Sequence, residues 1–288
     1  MNSGIQKLVL GTVQLGRPYG INVESVQPSV SEAERILMIA QQAGIKTLDT
    51  SADYGMSEDI IGNSGVAAMN MHIISKCSCP KGEVKSEFYN SLRLLKRKKI
   101  YGYLIHYFRD YRNNPEIWNE LQDLKSAGLV DKIGFSLYTV DELDYLLSHK
   151  ISFDIIQIPY NILNKDFEVY FSGLKMRNIE IYARSVFMQG ILMYDENMLP
   201  SKLLPLYPII QKLKMISESN NMKVKDMALS FVLSNPYIDG VIIGVKSEAQ
   251  LWENIGIAQK CIDLDFQKLF EKIYVQEKFR YLLNPSNW

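Results

Sequence analysis

The feature that most constrains this chain is the alternation of short apolar runs with strand character and longer segments whose apolar residues recur at helical spacing. Eight strands are predicted, at residues 8–12, 44–49, 71–76, 101–106, 132–136, 153–158, 179–183 and 240–244. Helices are predicted at residues 31–43, 83–98, 115–127, 140–147, 166–176 and 206–220. This alternation, without a break in composition, favours the α/β class with a closed (β/α)8 TIM barrel over a doubly wound sheet.

The length of the chain indicates how many domains it forms, and its charge indicates which partners it can attract. Its 288 residues, 47% of them hydrophobic, suit one barrel, so we expect residues 1–288 to form a single domain. Lysine plus arginine total 32 and aspartate plus glutamate total 32, so no net charge would attract nucleic acid or an anionic membrane. The amino terminus lacks a signal peptide's apolar region, and no run is long enough to span a bilayer. We expect a cytoplasmic protein that binds neither nucleic acid nor membranes.

The cysteines give little support for a metal site. Cys77 and Cys79 form a Cys-x-Cys pair, and Cys261 lies far along the chain. No second cluster completes the ligand set of a zinc site. We predict free thiols and no bound metal.

Four titratable residues stand where predicted strands end. Asp49, Lys76 and His106 each close an apolar run, and Tyr54 follows the first of these endings by five residues. Because the carboxyl ends of parallel strands meet at one face of a barrel, we expect the four side chains to share one site.

The chemistry of the four residues is mutually dependent. A tyrosine hydroxyl titrates near pH 10, so Tyr54 needs a nearby cation to act as an acid or base at neutral pH, and Lys76 can supply that cation. A buried ammonium needs a counter-ion, which Asp49 can provide, and His106 can hydrogen-bond a substrate oxygen. Each residue also has an ordinary structural interpretation: a helix cap, a packed loop tyrosine, a solvated lysine or a core histidine.

Two long connections are predicted to border the site. One runs from residue 15 to residue 29 after the first strand, and the other from residue 184 to about residue 205 after the seventh. Aromatic and basic residues near the strand ends could line a substrate pocket, and the arginines would suit a phosphorylated or nucleotide-linked substrate. The candidates for this pocket are Arg17, Tyr19, Tyr107 and Phe187.

The segment Asp49-Thr50-Ser51-Ala52-Asp53-Tyr54-Gly55 closely resembles the signature of the aldo-keto reductases. The resemblance continues in order along the chain. Further matches are Ile74-Ser75-Lys76, Leu104-Ile105-His106, Ile133-Gly134-Phe135-Ser136 and Ile156-Gln157-Ile158-Pro159-Tyr160-Asn161.

The resemblance implies an NAD(P)H-dependent oxidoreductase that reduces a small-molecule carbonyl. Hydride would come from carbon 4 of the nicotinamide and a proton from Tyr54, while Lys76 and Asp49 would tune the tyrosine and His106 would orient the carbonyl oxygen. By matching position, the cofactor contacts would be Thr12, Asp49, Ser136, Gln157, Arg184, Ser185, Lys246, Ser247, Gln250, Glu253 and Asn254.

The segment from residue 242 to residue 254 resembles the family's site for the adenosine phosphate half of the cofactor. Lys246 and Ser247 would bind the 2'-phosphate at a helix amino terminus, and Gln250, Glu253 and Asn254 would meet the adenosine. This interpretation favours NADPH, with NADH as the alternative cofactor. In the alternative structural interpretation, Ser247 merely caps a helix that starts near Glu248.

Three residues depart from the family pattern. Leu137 stands where many members have asparagine, and Arg184 replaces an aromatic residue that commonly stacks on the nicotinamide. A guanidinium plane can also stack. Met188 stands where glycine is common in the loop that approaches the pyrophosphate.

Two other functions remain open. A Schiff-base lyase would use Lys76 as its nucleophile and would need no nicotinamide. A cofactor-binding regulatory module would bind NADPH without significant turnover. The opening of the chain, residues 11–20, resembles family members linked to bacterial polysaccharide synthesis, and this resemblance favours a sugar-type or nucleotide-linked carbonyl as substrate.

Overall fold

The fold is taken from a computed structural model that describes residues 4–21, 27–65, 71–79, 83–260 and 264–288. Cys261 and residues 22–26 of the first long connection therefore lie outside the described residues. Cys77 and Cys79 are buried free thiols, as predicted.

Eight parallel strands close into a barrel in sequence order, with β1 paired to β8, so the predicted TIM barrel is confirmed. Each strand pairs with its sequence neighbours, which is the arrangement that alternating helices allow. The strands are β1 (Leu8–Gly11), β2 (Thr47–Asp49), β3 (His72–Cys77), β4 (Ile100–Ile105), β5 (Val130–Ser136), β6 (Ile155–Pro159), β7 (Glu180–Arg184) and β8 (Gly240–Gly244).

Helices surround the barrel in the part of the chain that the structure describes. The α-helices are α1 (Val13–Gly16), α2 (Val30–Gln42), α3 (Ser57–Asn63), α4 (Val84–Leu94), α5 (Phe108–Asn113), α6 (Ile117–Ser126), α7 (Val140–Ser148), α8 (Phe171–Met176), α9 (Tyr207–Ser219), α10 (Val224–Ser234), α11 (Glu248–Gln259) and α12 (Phe266–Leu269). Short 3-10 helices span Gly4–Lys7, Glu168–Tyr170, Met188–Met193, Glu196–Met198, Ser201–Leu206, Glu277–Leu283 and Pro285–Asn287.

The predicted helix ends agree with the structure where the sequence carries a cap. Ser29 and Thr139 begin α2 and α7 with capping boxes, in which each hydroxyl accepts the amide of a glutamate three residues on. The helix predicted at residues 166–176 is shorter than expected, because Glu168–Tyr170 forms a 3-10 turn before α8 begins at Phe171.

A small apolar cluster fills the barrel interior. We call Val9, Ile74, Leu104, Ile155 and Tyr182 the inner plug, because these residues pack together apart from the large core between strands and helices. Side chains alternate along a strand, so the neighbours of plug residues, such as Ile73 and Ile105, pack outward against the helices. The inner plug forms the floor beneath the residues at the strand ends.

One glycine in the barrel wall allows β5 and β6 to pair closely. A Cβ atom on Gly134 would lie 1.8 Å from the carbonyl oxygen of Ile155, an impossible contact. We expect Gly134→Ala to lower the free energy of unfolding by about 1–3 kcal/mol, the cost of overpacking a core. Urea unfolding checks this, with Gly173→Ala in α8 as the control because a Cβ there meets nothing within 4 Å. Equal stability of the two variants would contradict the prediction.

Two features are absent from the described residues, a membrane-spanning helix and a cluster of metal-binding side chains. No described helix combines the length and the apolar character that crossing a bilayer requires. No group of three or more metal-binding side chains comes together among the described residues.

Candidate active site

The period of a β-strand explains why the candidate residues meet. A side chain two residues beyond a member of the inner plug faces the same side of the strand, which is the barrel interior. Four candidate residues stand in this relation at the carboxyl ends of their strands. In each pair the residue of the inner plug is named before the candidate residue: Ile74 and Lys76, Leu104 and His106, Ile155 and Gln157, and Tyr182 and Arg184.

Lys76 and Asp49 form a buried ion pair at the centre of this layer. Their side chains are 1% and 5% exposed, and Nζ of Lys76 lies 2.8 Å from each carboxylate oxygen of Asp49. The third ammonium proton is donated to the carbonyl oxygen of Thr50, also at 2.8 Å. Burial lowers the pKa of Lys76, and the charge of Asp49 opposes this shift. With three acceptors in place, all three protons of the ammonium group are used.

Asp49 is itself fixed by groups from other strands. Gln157 of β6 donates from Nε2 to Oδ1 of Asp49 at 2.5 Å. Thr12, which follows β1, donates its hydroxyl to the carbonyl oxygen of Asp49 at 2.9 Å. The carboxylate and the lysine therefore have little freedom to rearrange.

The Tyr54 hydroxyl lies 3.5 Å from Nζ of Lys76, at the outer limit of a hydrogen bond. Burial of the hydroxyl, followed by the negative charge of Asp49, raises the pKa of Tyr54 well above 10, although the residue as a whole is only partly buried. Tyr54 therefore keeps its proton at neutral pH, and it can act only as a proton donor there.

His106 stands beside Tyr54 at the end of β4. Its ring makes an edge contact with the ring of Tyr54, with centroids 5.7 Å apart, and stacks on Tyr107 at 4.4 Å. Nδ1 lies 3.2 Å from Oδ2 of Asp53 and 3.1 Å from the hydroxyl of Ser51. Burial lowers the pKa of His106, against the hydrogen bond to Asp53, which raises it. The ring is therefore neutral at pH 7 and above.

These side chains open into a cavity of about 420 Å³, a size that suits a small molecule. Most of the residues predicted for cofactor and substrate line it. The predicted residues in the lining are Thr12, Arg17, Tyr19, Asp49, Tyr54, Lys76, His106, Tyr107, Ser136, Gln157, Arg184, Ser185, Phe187, Lys246, Gln250 and Asn254. The structure does not place Ser247 or Glu253 in this lining.

The segment after β8 explains these two exceptions. Ser247 is the N-cap of α11, and its hydroxyl accepts the amide of Gln250, as the alternative structural interpretation expected. Glu253 pairs with Lys225 of α10 at 2.5 Å. Lys246 lines the cavity, and its backbone amide donates to the side chain of Gln250 at 2.8 Å.

The three departures from the family pattern lie together at the ends of β5 and β7. The guanidinium of Arg184 stacks on the ring of Tyr138, with its central carbon 4.0 Å from the centroid, and donates to the carbonyl oxygen of Leu137 at 2.8 Å. The side chain of Leu137 is buried. Met188 has a φ of 46°, a left-handed conformation that favours glycine, and the burial of its side chain holds it there.

Several residues of the site were not predicted from the sequence. Ser51 and Asp53 contact His106, although both stand inside the segment that carries the family resemblance. Gln14, Gln189 and Lys225 also line the cavity. The position of Asp53, one residue before Tyr54, was the signal that could have identified it.

Buried polar atoms without partners mark where a ligand's polar groups would fit. Within the described residues, Oε1 of Gln14, Oε1 of Gln157, Nε of Arg184 and Oδ1 of Asn254 are buried without a hydrogen-bond partner, and all four residues line the cavity. Such atoms cost free energy unless something pairs with them. Three are amide oxygens, which accept from N–H or O–H groups. The cavity is therefore suited to a ligand that carries donors at several separated points.

Comparison with solved structures gives the same fold. An aldo-keto reductase of Bacillus halodurans, in its holo form, superposes with a TM-score of 0.75 at 20% identity, over 95% of each chain. A Pseudomonas aeruginosa protein described as an aldo-keto reductase has a TM-score of 0.66 at 21% identity, over 88% of this chain and 89% of that one. At these identities the likeness supports the shared barrel.

Sequence comparison identifies the family. A curated aldo-keto reductase of Mycolicibacterium smegmatis is 29% identical over 127 residues, so the match spans 42% of this chain and 45% of the length of that relative. The model of the Aldo/keto reductase family matches residues 7–274. Since this match covers all eight strands and includes Asp49, Tyr54, Lys76 and His106, the chain belongs to the Aldo/keto reductase family.

Proposed function

We propose that the chain is an NADPH-dependent reductase that converts an aldehyde or a ketone of a small molecule to an alcohol. The observation that carries the proposal is the hydroxyl of Tyr54, which lies 3.5 Å from the Lys76 ammonium in the lining of a cavity. The nicotinamide cofactor, when bound, supplies the hydride. The oxygen of the substrate becomes an alkoxide as hydride arrives, and Tyr54 donates the proton that neutralises it.

Lys76 assists Tyr54 by its charge. An ammonium group stabilises the phenolate that Tyr54 becomes once its proton has left, so the proton transfer costs less. Asp49 keeps that ammonium in place at 2.8 Å. The charge acts in a site whose lysine is 1% exposed, where water screens it little.

The lining of the cavity fits a dinucleotide with a carboxamide at one end and an adenine at the other. Oε1 of Gln157 and Oδ1 of Asn254 are buried acceptors without partners among the described residues, and each suits an N–H donor. Ser136 and Gln157 would hold the carboxamide of the nicotinamide, and Asn254 and Gln250 would meet the adenosine. Thr12, Arg184 and Ser185 would contact the cofactor between these ends.

The hydrogen bonds of Lys76 oppose the Schiff-base alternative. An amine nucleophile needs a free lone pair, whereas Nζ donates to two carboxylate oxygens and a backbone carbonyl. We therefore expect no trapping of Lys76 by borohydride in the presence of carbonyl compounds.

A titration and a substrate panel test the proposed function. NADPH and NADH are titrated by nucleotide fluorescence, and reduction is then followed with aldehydes, ketones and sugar-type carbonyls. We expect tight NADPH binding and turnover of at least one carbonyl class. Tight binding without turnover across the panel would reject a reductase and favour the regulatory module.

The preference for NADPH is proposed to depend on Lys246. We expect Lys246→Ala to weaken NADPH binding by about tenfold and NADH binding much less, because only NADPH carries the 2'-phosphate that a cation would bind. The dissociation constants of both nucleotides are measured by fluorescence titration. The matched control is Lys272→Ala, an exposed lysine outside the lining of the cavity. Equal losses for the two nucleotides would mean that Lys246 does not bind the 2'-phosphate.

A further inference from the structure

The further inference concerns the guanidinium of Arg184, a cation in the lining of the cavity that has no counter-ion. None of the ion pairs formed by the described residues includes Arg184. Its contacts are to neutral groups: the carbonyl oxygen of Leu137 at 2.8 Å, the hydroxyl of Ser185 at 3.4 Å and the ring of Tyr138. An arginine stays charged at neutral pH, so a full positive charge borders the cavity at this point.

The nearby charges leave this cation largely uncompensated. Lys76 is neutralised by its own ion pair with Asp49. Glu142 is a carboxylate on which the charge acts: burial raises the pKa of Glu142, and Arg184 opposes that shift. However, Oε2 of Glu142 accepts two backbone amides just before α7 and makes no ion pair with the guanidinium. The charge of Arg184 is therefore only partly offset.

The charge of Arg184 acts at the place where the reaction is proposed to occur. Burial raises the pKa of Tyr54, and Arg184 is a group that opposes this increase. Burial also lowers the pKa of Lys76, and Arg184 adds to that decrease. Hydride and proton go to adjacent atoms of one carbonyl group, so a nicotinamide that works with Tyr54 has to lie within range of the same charge.

The two oxidation states of the cofactor differ in charge at the nicotinamide ring. The ring is neutral in NADPH, and it is positively charged in NADP+, after hydride has left with both electrons of the C–H bond. The phosphates and the adenosine are the same in both states. At an effective dielectric constant of about 20, repulsion between two unit charges even about 10 Å apart changes a dissociation constant by about tenfold.

We propose that Arg184 makes the site selective for the oxidation state of the cofactor, because its charge repels the cationic ring of NADP+ and tolerates the neutral ring of NADPH. The site then favours carbonyl reduction over alcohol oxidation, and it promotes release of the oxidised cofactor. This inference rests on the proposed function, since it needs the nicotinamide near Tyr54. It concerns binding, so it can be tested before any carbonyl substrate is known.

Calorimetric titration tests the proposal without turnover. The dissociation constants of NADPH and NADP+ are measured for the wild type and for Arg184 variants. We expect the wild type to bind NADPH at least about tenfold more tightly than NADP+. Arg184→Met should bring the ratio of the two constants close to one, whereas Arg184→Lys should keep most of it, because lysine retains the charge. Contacts that both nucleotides share cancel in this ratio.

Two further variants make the comparison secure. Lys246→Ala is the matched control, because the 2'-phosphate that Lys246 is proposed to bind is present in both oxidation states. This variant should weaken NADPH and NADP+ by the same factor and leave their ratio unchanged. Arg184→Gln removes the charge but keeps a polar side chain, and it should lower the ratio as Arg184→Met does, which provides the test if the methionine variant fails to fold.

The outcomes separate this proposal from the proposed function. A ratio near one in the wild type, or a ratio that the neutral variants leave unchanged, would overturn the role of Arg184 while leaving the reductase intact. Loss of the ratio in Arg184→Lys as large as that in Arg184→Met would mean that the shape of the guanidinium matters rather than its charge, and would also overturn the proposal. Failure of both nucleotides to bind the wild type would overturn the proposed function itself.

Discussion

Replacing Tyr54 with phenylalanine should lower the rate of carbonyl reduction by at least about a hundredfold, the scale of a lost general acid, while NADPH still binds. Phenylalanine keeps the ring that contacts His106 but removes the hydroxyl 3.5 Å from Lys76. Hydride transfer would then create an alkoxide without a proton to neutralise it. Steady-state kinetics with the best carbonyl of the panel measure the loss, and nucleotide fluorescence measures cofactor binding.

A second tyrosine of the same cavity provides the control for this experiment. Tyr138 lines the cavity beneath the guanidinium of Arg184, where its ring stacks and its hydroxyl has no proposed part in the chemistry. Tyr138→Phe should therefore change the rate by less than tenfold. Equal activity in wild type and Tyr54→Phe would reject Tyr54 as the proton donor.

The barrel could be predicted from the sequence because its strands carry strong local signals. The last strand was predicted at the residues that β8 occupies, and the third strand extends one residue further, to Cys77. Helix α10 was not predicted, because it is buried on nearly all sides and so lacks the alternation of polar and apolar faces. Short helices such as α5 also escaped, since six residues hold too little periodic pattern.

The residues of the site were likewise predictable only where the local sequence determines their position. Residues at strand ends, such as Lys76 and His106, were predictable because the period of a strand fixes the direction in which they point. Contacts across the structure were not predictable. The pairing of Glu253 with Lys225 joins two helices, and Asp53 reaches His106 only through the turn that follows β2.

The pKa of Tyr54 illustrates a limit of reasoning from residue types. A lysine near the hydroxyl could be inferred, and the cation was expected to acidify the phenol. Burial instead raises the pKa of Tyr54, and the size of this increase depends on how closely the folded protein surrounds the hydroxyl. Proximity of charges can be inferred from spacing along a chain, whereas desolvation requires the folded structure.

Removing the charge of Lys76 should cost stability as well as activity. We expect Lys76→Met to lower the free energy of unfolding by about 3–5 kcal/mol, because it leaves the carboxylate of Asp49 buried without a counter-ion. The side chain of Asp49 is 5% exposed, so water cannot replace the lost ammonium. Urea unfolding at pH 7 measures the change. The dependence of the free energy of unfolding on urea concentration is compared between the variants, to check that the same transition is measured.

Two matched variants isolate burial as the cause. Lys125→Met breaks an ion pair with Asp154 that is shorter, at 2.6 Å, but whose side chains are 40% and 28% exposed, and it should cost less than about 1 kcal/mol. Adding Asp49→Asn to Lys76→Met should recover part of the loss, because the amide carries no charge to desolvate. Similar losses for Lys76→Met and Lys125→Met would show that the separation of the charges, rather than their burial, governs the cost of breaking the pair.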